Sequence, residues 1–223
     1  MSFTLEDFKR ILKNLSDERP IFHSEDDMKF ALAWEINRYF NGEIHLRLEY
    51  PFPDREENEK IDILLIQNGR KIGIELKYLK AELNCNNGGE NYLLKEQAAN
   101  DMLAYRCWKD IERIEKWIPA NIDDGYTLWI TNNPVFHGPE KRRKKVPCYD
   151  QFRIYEGRQL EKGTKMDWIN INGQRPAVAK GNYSDSVILK DSYTVHWEIY
   201  GDRCDAKKNS TFKYCVMRIS KSD

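Results

Sequence analysis

Residues 61–78 read IDILLIQNGRKIGIELKY, two β-rich runs on either side of Asn68-Gly69, the dipeptide most typical of a two-residue hairpin turn. With Gln67 and Arg70 flanking that turn, the pairing that runs outward sets Asp62 opposite Glu75. Directly opposed residues share a face, with Cβ atoms roughly 4.5–5.5 Å apart. Lys77 falls on the same face because side chains repeat every second residue. The other face collects Ile61, Ile63, Leu65, Ile72, Ile74 and Leu76, which is a core surface.

Two carboxylates opposed across a ladder repel, and in a partly buried setting one of them protonates unless a cation compensates. A hard divalent ion answers that need, since Mg²⁺ takes a few carboxylates together with water and substrate phosphate. Lys77 beside the pair can orient or help deprotonate a water, or stabilise charge on a pentavalent phosphate. The plainer alternative is a solvated hairpin face on which Asp62 and Glu75 salt-bridge Lys77 and Lys60. The unbroken apolar run after Asp62, and the alternation of Glu75 and Lys77 with Ile74 and Leu76, point instead to mostly buried strands.

Upstream of the hairpin, Leu5, Phe8, Leu12 and Leu15 follow a Thr4 cap at helical spacing. A second helix is signalled by Ser24 with Asp27 three residues on, then the stripe Met28, Ala31, Leu32, Ile36 and Tyr39, ending near Asn41-Gly42. Residues 44–50 alternate apolar and polar as a half-buried strand does, closed by Pro51 and Pro53 before an acidic loop from Asp54 to Glu59. Downstream, residues 82–91 (ELNCNNGGEN) read as a mobile polar loop. A long helix from about Leu93 to Ile118 is expected, with Leu94, Ala98, Met102, Tyr105, Trp108, Ile111 and Ile114 on one face. Thr127 to Thr131 reads as a short apolar strand, and Val187 to Tyr200 suggests further strands.

Composition bounds the rest. The 223 residues suit one domain, with a core over about 19–135 and a β-rich extension over about 146–220. Apolar residues at 40% and charged residues at 32% indicate a globular chain and exclude wholesale disorder. With no long apolar run and no signal-peptide core at the start, a cytoplasmic location without membrane contact is expected. Lys plus Arg equals Asp plus Glu at 36 each, so any nucleic-acid surface must be a local patch. The basic run Lys141, Arg142, Arg143, Lys144, Lys145 suits phosphate contacts, although such a run is most often a solvated loop. The five cysteines, odd in number and without a C-x-x-C pair, read as free thiols. His23, His45, His137 and His196 lack metal-ligand spacing, and no P-loop, dinucleotide or serine-hydrolase motif occurs. The aromatic-rich last third, including Trp168, Tyr183, Tyr193 and Trp197, can stack on unpaired bases, with core packing of added strands as the simpler reading.

Asp62 followed by Glu75-Leu76-Lys77 resembles the D…E-x-K signature of the PD-(D/E)XK, or restriction-endonuclease-like, nuclease superfamily. The helix, strand, strand, strand, helix, strand order resembles its αβββαβ core. The stretches RPIFHSEDDMKFALAWE, LEYPF, ELKY, KDIERIE and TNNP are similar to an uncharacterised prokaryotic group within it, over roughly residues 19–160. The resemblance implies an α/β (α+β) fold in which helices flank a mixed central sheet, with additional C-terminal strands here. It also implies Mg²⁺- or Mn²⁺-dependent hydrolysis of phosphodiester bonds, in DNA first of all, in a defence, restriction or repair setting. Asp62 and Glu75 would hold the metal and Lys77 would assist the water.

Members often add a glutamate from the first core helix. Glu35 matches by position and sits in the apolar stripe, where a carboxylate needs a partner; Glu25 is the second choice. Some members use a glutamine early in the following helix, which Gln97 matches. The proline of the superfamily name is absent, Lys60-Ile61 standing before Asp62. From a different class, the chain can be a nucleic-acid-binding or protein-interaction module that keeps the fold without the chemistry. Both readings leave room for a homodimer or a partner protein.

Overall fold

The computed structural model describes residues 3–52, 59–140, 145–202 and 208–221, apart from the side chain of Asn182. Two helices open the chain. Thr4 and Asp7 form a reciprocal capping box at the start of α1 (Leu5–Glu18). Ser24 accepts from the Asp27 amide to start α2 (Glu25–Tyr39), which ends where Asn41 and Gly42 take positive φ, the conformation that stops a helix.

β1 (His45–Pro51), β2 (Lys60–Gln67) and β3 (Arg70–Leu79) follow as an antiparallel meander. Asn68 and Gly69 both have positive φ, as a type I′ turn requires, and Gln67 pairs with Arg70 and Ile63 with Ile74. The expected register is therefore the observed one from the turn out to Ile63 and Ile74.

Residues 82–91 depart from expectation. They form the arm and turn of a second hairpin, β4 (Leu83–Asn87) with β5 (Glu90–Leu94), turned by Gly88 and Gly89 at φ 61° and 87°. Tyr92 and Leu94 are buried while Leu93 is 70% exposed. That period of two explains why a helix does not begin at Leu93, and α3 runs Asn100–Trp117 instead, leaving Leu94 and Ala98 outside it.

β6 (Asp124–Thr131) then pairs in parallel with β3. A single turn, α4 (Pro134–His137), leads into a segment of short ladders, β7 (Gln159–Leu160) with β10 (Tyr193–Thr194) and β8 (Lys165–Met166) with β9 (Val187–Ile188). β11 (Glu198–Gly201) and β12 (Phe212–Ile219) return to the main sheet. Its order is β1-β2-β3-β6-β12-β11, mixed in direction because β3 and β6 run parallel among antiparallel neighbours.

The sheet separates two cores. One face packs α1 and α2 on Ile63, Leu65, Ile74 and Leu76; the other packs α3 and the C-terminal segment on Leu64, Leu79 and Trp129. Ile61 departs from the expected face, because it belongs to the α3 side. Its Cδ1 lies 3.1 Å from where a Cβ on Gly73 would stand, so the missing side chain of Gly73 makes its room. At Gly125 an added Cβ would meet Ile114 Cγ2 at 2.2 Å, so this glycine lets α3 approach the sheet.

α3 is used on nearly every side. Cys107, Trp108, Ile111 and Ile114 face the sheet core, while Glu112 accepts from the Ile188 amide and Glu115 from Lys190, Asp191 and the Tyr193 hydroxyl. The C-terminal segment is thereby docked on the helix. No helix among the described residues is long and apolar enough to cross a membrane. Cys107, Cys148 and Cys215 are free thiols as expected; Cys85 is not, being disulfide-bonded.

Candidate functional site

The pairing of β2 with β3 stops at Ile63 and Ile74, so Asp62 and Glu75 do not pair as ladder partners. On the other side of β2, the register passes from Leu48 opposite Ile63 to Tyr50 opposite Ile61, with Glu49 between them at φ 51°. Asp62 is thus left out of the pairing on both sides of β2.

Beyond that point the free edge of β3 is capped by side chains in a regular series. The Leu76 amide donates to Asp62 Oδ2 at 2.8 Å, the Tyr78 amide to Glu25 Oε2 at 2.7 Å, and the Lys80 amide to Gln97 Oε1 at 3.0 Å. Amides two residues apart point to the same edge. Three polar side chains from three parts of the chain are thus lined up by one strand. Gln97 is fixed twice, its own amide donating to the Lys80 carbonyl at 3.1 Å; it lies in the irregular chain ahead of α3, not on the helix as the sequence suggested.

These groups line an open cavity of about 530 Å³ with Glu75, Lys77, Asp110 and Arg113. Lys77 Nζ lies 2.6 Å from Asp110 Oδ2 and donates to the Leu76 carbonyl at 2.9 Å. Arg113 bridges Asp110 Oδ1 at 2.8 Å and Glu75 Oε2 at 2.7 Å. Lys29, from α2, contacts Asp62 Oδ1 at 3.1 Å, Asp26 at 3.4 Å and also Glu49. Glu75 Oε1 is buried with no hydrogen-bond partner.

The electrostatics separate the acids. Burial on its own would raise the Asp62 carboxyl, but Lys77, the Leu76 amide and Lys29 outweigh it and hold Asp62 below its ordinary value. Burial pushes Glu75 well above the usual range, against Arg113 and with Asp110 and Asp62 adding to the rise. Burial likewise raises Glu25, with Lys77 and the Tyr78 amide opposing. For Lys77, burial works toward the neutral amine and is overcome by Asp110, Glu25, Glu75 and Asp62, so its value rises. These neighbours favour the ammonium form of Lys77, which can attract and orient an anion or a water.

Glu35 is not at this site, which corrects the sequence expectation. It is buried, as its stripe required, but it is paired with Arg38 at 2.7 Å, which also reaches Glu18 on α1. Ten residues of helix at about 1.5 Å each place it roughly 15 Å along α2 from Glu25, and Glu25 is the glutamate of that helix that reaches the cavity. Asp110, Arg113 and Lys29 went unrecognised in the sequence. The signal was polar residues in apolar stripes: Lys29 next to Met28, and Asp110 and Arg113 around Ile111. Of the basic run, Lys145 is exposed, and Lys141, Arg142, Arg143 and Lys144 lie outside the described residues.

Glu25, Asp62 and Glu75 are hard oxygen donors of the type that bind Mg²⁺ or Mn²⁺, and the unpartnered Glu75 Oε1 is an acceptor suited to a cation. Among the described residues, no group of three or more His, Cys, Asp or Glu side chains stands at metal-holding spacing. Lys29 and Arg113 flank Asp62 and Glu75 instead. Donor chemistry fits the ion, while the spacing described is set by the ion pairs. In comparisons with known proteins, no family model, curated protein or solved structure matches the chain.

Proposed function

We propose that the chain is a divalent-metal-dependent nuclease of the restriction-endonuclease-like type, hydrolysing phosphodiester bonds, in DNA first of all. The observation that carries this reading is the convergence of Asp62, Glu75, Lys77, Gln97 and Glu25 on one open cavity, with Asp62, Glu25 and Gln97 aligned by alternate amides of β3 and the residue that follows it. Phosphoryl transfer depends on positioning and electrostatic stabilisation, and a misplacement of about 1 Å can cost about 10²-fold in rate.

Asp62 and Glu75, with Glu25 beside them, would hold Mg²⁺ or Mn²⁺, which supplies Lewis acidity and lowers the pKa of a bound water. The chain's own groups do the rest. The Lys77 ammonium stabilises negative charge that grows on the phosphate. Asp110 fixes it from behind, and Arg106 and Lys109 on the α3 wall of the cavity attract the phosphate backbone.

Purified protein given DNA and Mg²⁺ or Mn²⁺ should cleave it, and Asp62→Asn and Lys77→Met should each lower the rate by about 10²-fold or more. Full activity in both variants sinks the assignment.

One observation favours a second reading, a binding module that keeps the fold without chemistry. Asp62, Glu75 and Asp110 are each engaged by a cation of the chain. Calorimetric titration separates the two: Mn²⁺ binding that is lost in Asp62→Asn supports the nuclease, and DNA binding without any Mn²⁺ binding supports the module.

A further inference from the structure

The cavity has a second wall of different chemistry. Besides its charged groups it is lined by Leu103, Tyr105 and Tyr183, the last contributed by the C-terminal segment. Most aromatic side chains of that segment are core: Trp168, Tyr193 and Trp197 are each under a tenth exposed. Tyr183 is half-buried and on the cavity. It is also held. The Trp168 indole donates to its carbonyl at 2.7 Å, the Arg106 guanidinium lies 5.1 Å over its ring and bonds its hydroxyl, and Tyr105 meets it edge to face at 5.9 Å. An aromatic ring fixed by a cation, beside a cleft with basic residues, is how proteins hold unpaired bases.

A phosphate at the Lys77 ammonium would set the base of an adjoining nucleotide against Tyr183, which lines the same cavity. In a duplex that base is stacked and paired, and reaching the wall would cost a few kcal/mol of unstacking. An unpaired base meets no such cost.

Building on the nuclease reading, we infer that the cavity takes single-stranded or locally unpaired nucleic acid, with one base against Tyr183. The test is binding without metal, which needs no catalysis. A fluorescein-labelled 12-nucleotide single strand and the duplex of the same sequence are titrated with protein in EDTA and followed by anisotropy. The single strand should bind at least about 10-fold more tightly than the duplex. Tyr183→Leu, which keeps bulk but removes the π face, should weaken single-strand binding by about 5- to 50-fold, and Tyr183→Phe should stay within about twofold. A thermal melt of each variant checks that the fold is kept.

Equal or tighter duplex binding, an unchanged affinity in folded Tyr183→Leu, or no binding of either strand form overturns the inference. The two readings fail separately. Preferred single-strand binding without metal-dependent cleavage leaves this inference standing against the nuclease. Cleavage of duplex DNA that is indifferent to Tyr183 does the reverse.

Discussion

Lys77 Nζ of β3 sits 2.6 Å from Oδ2 of Asp110 on α3, two residues far apart in sequence that lock the helix over the strand. Both are largely removed from water, with side chains 14% and 5% exposed. Removing one partner of such a pair leaves the other charged and uncompensated. Asp110→Asn should therefore cost about 3 kcal/mol, read by urea denaturation, and Lys77→Met in the same chain should recover a large part of it. A double variant no more stable than Asp110→Asn alone would show that the pair does not act as a unit.

The opposite shifts of Glu75 and Asp62 give opposite pH dependences. Glu75 is raised in the folded state from an ordinary 4.5, so its contribution is complete below that value and is lost as pH rises through the folded value. Glu75→Gln should then stabilise the protein at neutral pH, with a gain that grows from pH 5 upward. Asp62 is lowered from 3.8: its contribution is present above 3.8 and lost as pH falls further. Asp62→Asn should flatten the acid limb of the stability curve below about pH 4. Denaturation midpoints of both variants across pH 3–9 are the measurement, and a Glu75→Gln loss at pH 7 refutes the first claim.

The capped edge of β3 predicts a residue-specific exchange pattern. Glu25→Ala should expose the Tyr78 amide, and Gln97→Ala the Lys80 amide, each exchanging faster by roughly one to two orders of magnitude, while Ile74, paired within the sheet, is unaffected. Amide exchange followed by NMR checks this, and uniform acceleration along β3 would count against separate caps.

At the far end of the sheet, Asp124 at the start of β6 accepts from Arg70 at 2.9 Å and from Arg218 at 3.0 and 3.1 Å, joining the first residue of β3 to β12. Asp124 is buried and the arginines are about half exposed. Asp124→Ala should cost roughly 1.5–3 kcal/mol in thermal or urea unfolding.

Residue pattern fixes some of this molecule well and some of it poorly. The hairpin register follows from a two-residue turn and a period of two, both local properties, so Asp62, Glu75 and Lys77 could be placed on one cavity from the sequence. Glu35 and Glu25 could not be told apart, because both lie on the same helix and the choice depends on how α2 is translated along β3. Asp110 and Arg113 escaped notice for a related reason. A charged residue in an apolar stripe reveals that a partner exists, and only the crossing of α3 over β3 reveals which one. The hairpin at 83–94 was hidden by Leu93-Leu94, which read as helix although Gly88-Gly89 marks a turn.

The side-chain caps on β3 have a consequence for solubility. A strand edge with unpaired amides is a template on which another chain can add a strand, and folded proteins commonly blunt such edges with charge. Asp62 and Glu25 supply that charge while occupying the amides themselves. Alanine at both positions would remove the acids of the site and at once leave an open edge between Ile74 and Lys80 flanked by apolar residues. The same two carboxylates that line the cavity thus also occupy the amides on which another chain could add a strand.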